Sequence, residues 1–527
     1  MWGMTTLGLY ARTLRHLKLV QITNRIVRKI LRARVVDAAA PKVRTSGDHS
    51  FLSIRRPRSI FNENEFQFLN KREVLSFPDG WNNEKLPKLW LYNLHYFEGL
   101  LNQETPNTIK EYLIELWIEQ NPQGVGNGWE PYPNSLRIAN WIKWVFLGNQ
   151  LTPLAEKSLA TQIRYLTKTL EYHLQGNHLF ANAKALIFAG VFFEGNEADK
   201  WLKIGLNILQ KQIPEQFLND GAHFELSTTY HALLTEDLLD IIQLMKLANV
   251  KIPLNWIETA IKAVRWLVVM TRPDGLPPLF NDAAYEITPS LEDILILQNS
   301  AGIDVSSIPP FGMTDLPESG YFRYETSNYS CFGDAGQIGP DYIPGHAHCD
   351  MLNFELFAGG KPIIVDTGTS TYEICERRQT ERSTASHNTV QIGHDEQSEI
   401  WGAFRVARRA KFILREVLSD TVEAEYIGYK STKACHKRIF NFEEKLIIIN
   451  DETNQSLDSI ARLHFHPEVS VILKNNIVEA GPLKIEISGE DSVKIVEYDY
   501  APEFNMRMPA KVLEVCFSKQ LTTKISL

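Results

Sequence analysis

A chain of 527 residues with 44% hydrophobic content exceeds one ordinary core and divides into two or three domains that need no staples. Its net charge of -8, without any nucleic-acid-binding motif, excludes general nucleic-acid binding. Five cysteines, Cys331, Cys349, Cys375, Cys435 and Cys516, are odd in number and lack CxxC spacing, which excludes a disulfide framework and a cysteine-rich zinc module.

From Met1 to Val36 the chain has no acidic residue and eight Lys and Arg. Leu14, Leu17, Ile22, Ile26 and Ile30 recur at helical spacing. A basic amphipathic helix of this kind lies on an anionic membrane surface or docks on its own protein, and the pattern leaves both open. No apolar run is long enough to span a bilayer and no cleavable signal is present, so the expected location is cytoplasmic or membrane-peripheral.

After a polar link around Ala38 to His49, helical periodicity dominates. Thr108 to Gln120, Asn134 to Leu147, Glu156 to Leu174, Leu234 to Ala248 and Ile257 to Met270 carry apolar residues at three- and four-residue intervals, with Asn134 placed as an N-cap. Successive helices without intervening strands imply a bundle or an α/α toroid. Near Ile308 to Pro310 the texture changes to short alternating runs, among them Lys411 to Val417, Arg438 to Asn450, Leu483 to Ser488 and Lys511 to Ser518, the pattern of an antiparallel β-sandwich. The expected segments are a basic N-terminal stretch over 1–48, a helical domain over 49–310 and a sandwich over 311–527.

Four stretches carry chemistry. In QGNHLFANAKAL, Gly176 closes one helix, and Asn177 and His178 sit in the turn before the next, where an amide and an imidazole at a helix mouth hydrogen-bond an anionic group. In ELSTTYHALLTE, Tyr230 and His231 interrupt an apolar pattern. A tyrosine serves as a general acid, and as a base only beside a cation or metal. NGWEPYPNSLRIANWIKW brings Trp129, Tyr132, Arg137 and Trp141, aromatic faces and an arginine suited to an acidic sugar chain or to a core. GHAHCDMLNFELFAGGKPIIVDTG, if extended, puts His346, His348 and Asp350 on one face, and the apolar run Pro362 to Val365 delivers Asp366 from a following strand end. With His387 from ASHNTV, two imidazoles and a carboxylate suit a zinc-like divalent ion. Downstream, arginines that include Arg382 and Arg405 concentrate positive charge where an anionic polymer would lie.

In this order, from about Leu91 to Arg409, NGWEPYPNSLRIANW, GNHLFANAKAL, STTYH, GHAHCD, VDTG and SHNTV resemble the heparinase II/III-like family of polysaccharide lyases, a group that includes alginate lyases. The resemblance implies an α+β multidomain fold, an N-terminal α/α toroid followed by a C-terminal antiparallel β-sandwich, with the cleft between them. It also implies β-elimination on a uronic-acid-containing glycan. Asn177 and His178 would neutralise the uronate carboxylate, Tyr230 and His346 would handle the protons, and His348, Asp366 and His387 would hold a structural divalent metal, zinc by ligand type. Which of Tyr230 and His346 is the base depends on substrate stereochemistry. The expected partner is an anionic polysaccharide, with peripheral membrane contact through the basic segment. Secreted relatives make a periplasmic location the alternative, and the basic segment fits a role in exopolysaccharide production. Competing readings are a uronyl C5-epimerase, an α/α-toroid glycoside hydrolase using Glu225 and Asp282, and a non-catalytic glycan-binding protein.

Overall fold

The computed structural model describes residues 2–31, 33–44, 51–305, 311–430, 434–454 and 458–527, and the boundaries expected after 48 and 310 lie on residues outside these. Two short helices, α1 (Trp2–Leu14) and α2 (Leu19–Ile30), open the chain. A hairpin of Glu65–Phe68 and Lys71–Val74 precedes the helical region. That region comprises α3 (Lys88–Tyr96), α4 (Asn107–Gln120), α5 (Pro131–Phe146), α6 (Pro153–Leu166), α7 (Gly176–Phe192), α8 (Asn196–Gln216), α9 (Thr228–Leu247), α10 (Leu254–Met270) and α11 (Leu291–Ser300).

Local chemistry sets where these helices begin. Thr152, Ser227 and Ser290 each accept a hydrogen bond from the backbone N–H three residues on, satisfying one of the donors that the first turn leaves free. Pro131 and Pro153 occupy first-turn positions, where a missing N–H costs nothing. The N-cap expected at Asn134 is therefore displaced. With Pro131 opening α5, Asn134 lies inside it, buried, donating to the Gln162 carbonyl at 3.1 Å and accepting from Arg137 at 3.0 Å. Helix α6 likewise ends at Leu166 rather than Leu174, and the freed segment carries Glu171 toward the start of α7.

The helical core is rich in tryptophan: Trp90, Trp117, Trp141, Trp144 and Trp256 are all buried. Helix α7 is enclosed by α5, α8 and α9, which explains why its sequence is apolar on every side.

Beyond residue 311 the chain builds antiparallel sheets. Gly312–Leu316, Tyr321–Glu325, Tyr329–Asp334, Phe354–Ala358 and Lys361–Ile364 form a meander of five strands in sequential order. An eight-stranded sheet runs from Lys411–Val417 through Thr421–Ile427, Cys435–Glu443 and Leu446–Thr453 to Gln520–Ser526 and then back to Val471–Lys474. A four-stranded sheet holds Ser492–Tyr500, Met508–Phe517, Ser459–His464 and Val390–Ile392. The run expected as one strand over Arg438 to Asn450 is a hairpin turning at Glu444 and Lys445. Alternation decides which face is inner: along Leu446–Thr453 every second residue is buried, as a sheet with one covered face requires. Phe322 and Phe354 of the first sheet, Phe440 and Ile485 of the second, and Leu513 and Phe517 of the third share one core.

The helical region and the sheets meet through a second apolar cluster, in which Trp266, Met270 and Phe280 pack on Tyr321, Phe332 and Phe357. The long connection between α10 and α11 runs along this junction and brings Asn281 and Asp282 to the site.

Candidate active site

Helix α7 enters through left-handed backbone at a point with no room for a side chain. Gly176 has φ +53°, and a Cβ there would stand 2.6 Å from Glu225 Oε1 and 2.8 Å from Ile343 Cδ1. Asn177 and His178 consequently lie in the first turn of α7, not in a turn before it. His178 Nδ1 is 3.2 Å from Glu171 Oε1, and its ring packs on Tyr132 at 4.5 Å between centroids. Burial opposes a charge on His178, yet the Glu171 carboxylate outweighs it and the pKa lies above the ordinary value. An imidazole biased by Glu171 toward its charged form, a buried amide and a helix N-terminus thus converge, an arrangement that receives a carboxylate.

Helix α9 supplies the next group. Ser227 caps it and also donates to the Asp282 carbonyl, which fixes Tyr230 in the first turn. The Tyr230 ring stacks on His346 with centroids 3.7 Å apart, and its hydroxyl is 3.4 Å from that of Tyr372. Burial, reinforced by Tyr372, raises the Tyr230 pKa well above that of a free phenol.

His346 and His348 are not on a strand, because the five-stranded sheet breaks between Asp334 and Phe354. Their loop instead pairs with the one carrying Asp282. The Asp282 N–H donates to the His346 carbonyl at 3.0 Å, the His348 N–H to Asn281 Oδ1 at 2.9 Å, and the Asn281 N–H to Asp350 Oδ2 at 3.0 Å. Both imidazoles therefore turn to Asp282, His346 Nδ1 at 2.9 Å and His348 Nε2 at 2.8 Å. The Arg378 guanidinium closes the group, with Nη2 2.7 Å from Asp282 Oδ2. Burial works against ionised Asp282, but Arg378 and the two imidazoles hold its carboxyl well below the usual range. His346 Nε2 faces Glu225 Oε2 at 3.5 Å. Its side chain keeps 12% exposure where those of His348 and His387 have none, so His346 is the imidazole a substrate can reach.

The expected ligand set forms one buried cluster. His387 Nδ1 lies 2.7 Å from Asp366 Oδ2, the His387 and His348 rings are 5.3 Å apart, and Asn353 also binds Asp366, at 2.5 Å. As arranged, no three donors converge on one point among the described residues. His348 Nδ1 and His387 Nε2 are nevertheless buried without a partner. Two unpaired imidazole nitrogens beside a carboxylate are the donor types a zinc-like cation takes, so the set fits such an ion in chemistry. Cys349 points away, to the Ser398 carbonyl.

Other candidates divide. Tyr132 is in the site, over His178. Trp129, Arg137 and Trp141 are core: the register of α5 turns Arg137 and Trp141 inward, and Trp129 is buried in the short 3-10 turn just before that helix. Arg137 stacks on Trp117 at 3.8 Å and is bound by Gln162 and Asn134. Arg382 is buried on the carbonyls of Ala347 and Gly402. The expected basic field is largely neutralised. Arg377 pairs with Glu381, Arg378 with Asp282, Arg408 with Glu399 and Arg409 with Asp341. Arg405 is exposed, with its guanidinium 4.5 Å from the Trp401 ring. Sequence reasoning did not place Glu171 or Tyr372 in the site, took Arg378 only as one of the arginines facing an anionic polymer, and weighed Asp282 only as a hydrolase carboxylate. The available signal was the long non-helical connection between α10 and α11, since such loops in compact domains are commonly functional.

The chain is similar to several known proteins. A heparin-sulfate lyase of Bacteroides stercoris is 29% identical over 324 residues, 56% of this chain and 46% of that protein. The chain spans about half the length of the curated relatives it matches. The solved structure of heparinase III superposes with a TM-score of 0.69 at 19% identity, covering 86% of this chain and 80% of the other. That of heparan sulfate lyase HepC from Pedobacter heparinus gives 0.61 at 18%, covering 96% and 88%. At such identities the likeness is one of fold, a helical N-terminal region followed by antiparallel sheets. Family models described as "Heparinase II/III N-terminus" and "Heparinase II/III-like, C-terminal" match residues 113–294 and 308–527, and the chain belongs to the heparinase II/III family.

Proposed function

We propose that the protein is a polysaccharide lyase that cleaves a uronic-acid-containing glycan by β-elimination. One observation carries the reading: the Glu225 carboxylate lies against both the α7 entry that presents Asn177 and His178 and the imidazole of His346, which stacks on Tyr230. The groups an elimination needs therefore share one small space.

The hydrogen at C5 of a uronate is poorly acidic, because its carboxylate resists becoming an enediolate dianion. Positive charge and hydrogen bonds on that carboxylate are the first requirement, and His178, which Glu171 biases toward its charged form, meets it with Asn177. With Asp282 ionised, the proton of His346 sits on Nδ1 and leaves Nε2 as the acceptor that takes the C5 hydrogen. Tyr230, kept protonated by burial, donates to the departing glycosidic oxygen. Loss of the extra proton from His346 to solvent and return of one from solvent to Tyr230 then reset the site. His348, Asp366 and His387 would hold a divalent cation that supplies a fixed positive charge bracing this wall. Elimination needs no activated water.

A hydrolase would want its two carboxylates flanking an open bond. Glu225 and Asp282 instead lie beside opposite nitrogens of one imidazole, which speaks against that use. Because the curated relatives are named heparin-sulfate lyases, sulfated uronate polymers of that class head the substrate panel, with chondroitin-type polymers and alginate beside them. The test is ultraviolet absorption of the unsaturated product on incubation with each polymer. Absorption that grows with wild type and not with Tyr230→Phe supports the reading, and a flat trace with every uronate polymer rejects it.

A further inference from the structure

An amphipathic helix docked on its own protein turns its apolar stripe inward. Helix α2 does the reverse. Its polar face is the bound one: Gln21 is buried and donates to the Tyr342 carbonyl at 3.3 Å, and Arg28 Nη1 lies 3.0 Å from His173 Nδ1. Just before the helix, Lys18 pairs with Glu215 and lies 3.8 Å over the Tyr342 ring. Leu19, Ile22, Ile26 and Ile30, spaced as one stripe, face outward with 78%, 38%, 53% and 72% exposure, and Val27 and Leu31 widen it. Helix α1 adds Leu7 and Leu14, 72% and 47% exposed. Arg25 and Lys29 are exposed along the edge of the stripe, with Arg15 and Arg34 beyond its ends.

We propose that α1 and α2 form a docking face for an anionic lipid bilayer, the apolar stripe seated at the acyl boundary and the flanking cations among the headgroups. Charge selects this occupant. The segment to Val36 carries eight cations and no acid, and with Arg12 and Lys18 paired to Glu399 and Glu215 it keeps an excess of positive charge, so a second copy meeting the same stripe would set like charges against each other, whereas anionic headgroups complement them. The face lies on the membrane and does not cross it. Among the described residues no helix is long and apolar enough to span a bilayer, and α2 has 12 residues.

The docked unit is the folded body, not a tether. Helix α1 is fixed to the sheet region by Arg12 on Glu399 at 2.7 Å and by Trp401 Nε1 donating to Thr13 Oγ1 at 3.0 Å. Helix α2 is fixed to the helical region by Glu215 and His173. The inference is independent of the lyase reading.

The test is co-sedimentation of the full chain with phosphatidylcholine vesicles and with mixed phosphatidylcholine and phosphatidylglycerol vesicles, at about 0.1 M salt, where screening is moderate. The expected result is partitioning at least about tenfold stronger onto the anionic vesicles, lost in Ile26→Glu/Ile30→Glu and weakened at least about tenfold in Arg25→Glu/Lys29→Glu. Equal melting temperatures would show that both variants fold. Light scattering of the free chain completes the set. Absence of binding to either vesicle, equal binding to both, wild-type binding by the apolar variant, or a dimer that Ile26→Glu/Ile30→Glu dissolves would each overturn the proposal.

Discussion

The ring of Tyr230 lies nearly parallel to that of His346, centroids 3.7 Å apart and planes 26° from each other. Stacking of this kind fixes both side chains with no bond between their reacting atoms, so the phenol oxygen and His346 Nε2 are not spent on each other. Tyr230→Phe keeps the stack and removes only the hydroxyl, which lies 3.4 Å from that of Tyr372. Turnover should fall by roughly two to four orders of magnitude, the range for a general acid, with the melting temperature unchanged. Near-normal initial rates would remove Tyr230 from the chemistry.

Asp282 carries more structural weight than either proton-handling residue. It is fully buried and binds His346, His348 and Arg378 together. Asp282→Asn is almost isosteric but leaves the Arg378 cation buried without its counter-charge, a change that costs about 3 to 5 kcal/mol. It also removes the acceptor that keeps the His346 proton on Nδ1. Both urea stability and turnover should drop, and Asp282→Asn with wild-type stability would show that the ion pair is solvated.

The buried nitrogens His348 Nδ1 and His387 Nε2 lead to a prediction about composition. Purified protein should contain about one divalent ion per chain by elemental analysis, in keeping with one donor set. A chelator should lower the melting temperature of wild type and leave His387→Ala, already less stable, unmoved. Metal-free protein whose melting does not respond to added zinc would leave these residues as a hydrogen-bonded cluster.

How much of this was legible beforehand follows from the range of each interaction. The fold class could be read because periodicity is local: Lys411 to Val417 and Leu483 to Ser488 alternate within a few residues and are strands with those limits. The motifs around Asn177, Tyr230 and His346 could be read because each is a short word. Asp282 as the hub could not, since it joins His346 across 64 positions and Arg378 across 96. The downstream arginines looked like a binding field for the same reason, because their counter-charges at Asp282, Asp341 and Glu399 are brought in only by the fold. Helix α2 illustrates a different limit. Spacing reveals an apolar stripe but not the side on which the protein lies.

Stability at acid pH should report on a charge cluster in the sheets. Asp451 is buried between His436 at 2.7 Å and Arg438 at 2.7 Å. Burial alone would raise its carboxyl pKa, but Arg438 and His436 override that and lower it to about 2, against about 3.9 for a free aspartate. A depressed carboxyl stabilises the fold at every pH above the unfolded value, and that stabilisation is lost as pH falls from about 4 through 2, amounting to roughly 2 to 3 kcal/mol. Urea unfolding in this window should give a steep slope for wild type and a shallower one for Asp451→Asn. Parallel slopes would place the acid-sensitive group elsewhere.

Gly176 offers a test of how the α7 entry positions Asn177 and His178. Its φ of +53° disfavours any side chain, and a Cβ would come within 2.6 Å of Glu225 Oε1, below any normal contact distance. Relief requires Glu225 to move, and Glu225 lies against His346, so strain at the helix start is transmitted to the second wall of the cleft. Gly176→Ala should cost about 1 to 2 kcal/mol from the left-handed backbone alone. It should also lower turnover more than tenfold, because displacements near 1 Å at a positioned site carry penalties of order a hundredfold. Gly195 has φ +89° and nothing within 4 Å of its Cβ position, so Gly195→Ala supplies the control. With ψ -179°, Gly195 lies where almost only glycine is found, so Gly195→Ala should show at least as large a backbone cost with full activity, and equal activity losses in the two variants would mean that the Gly176 effect is one of general stability.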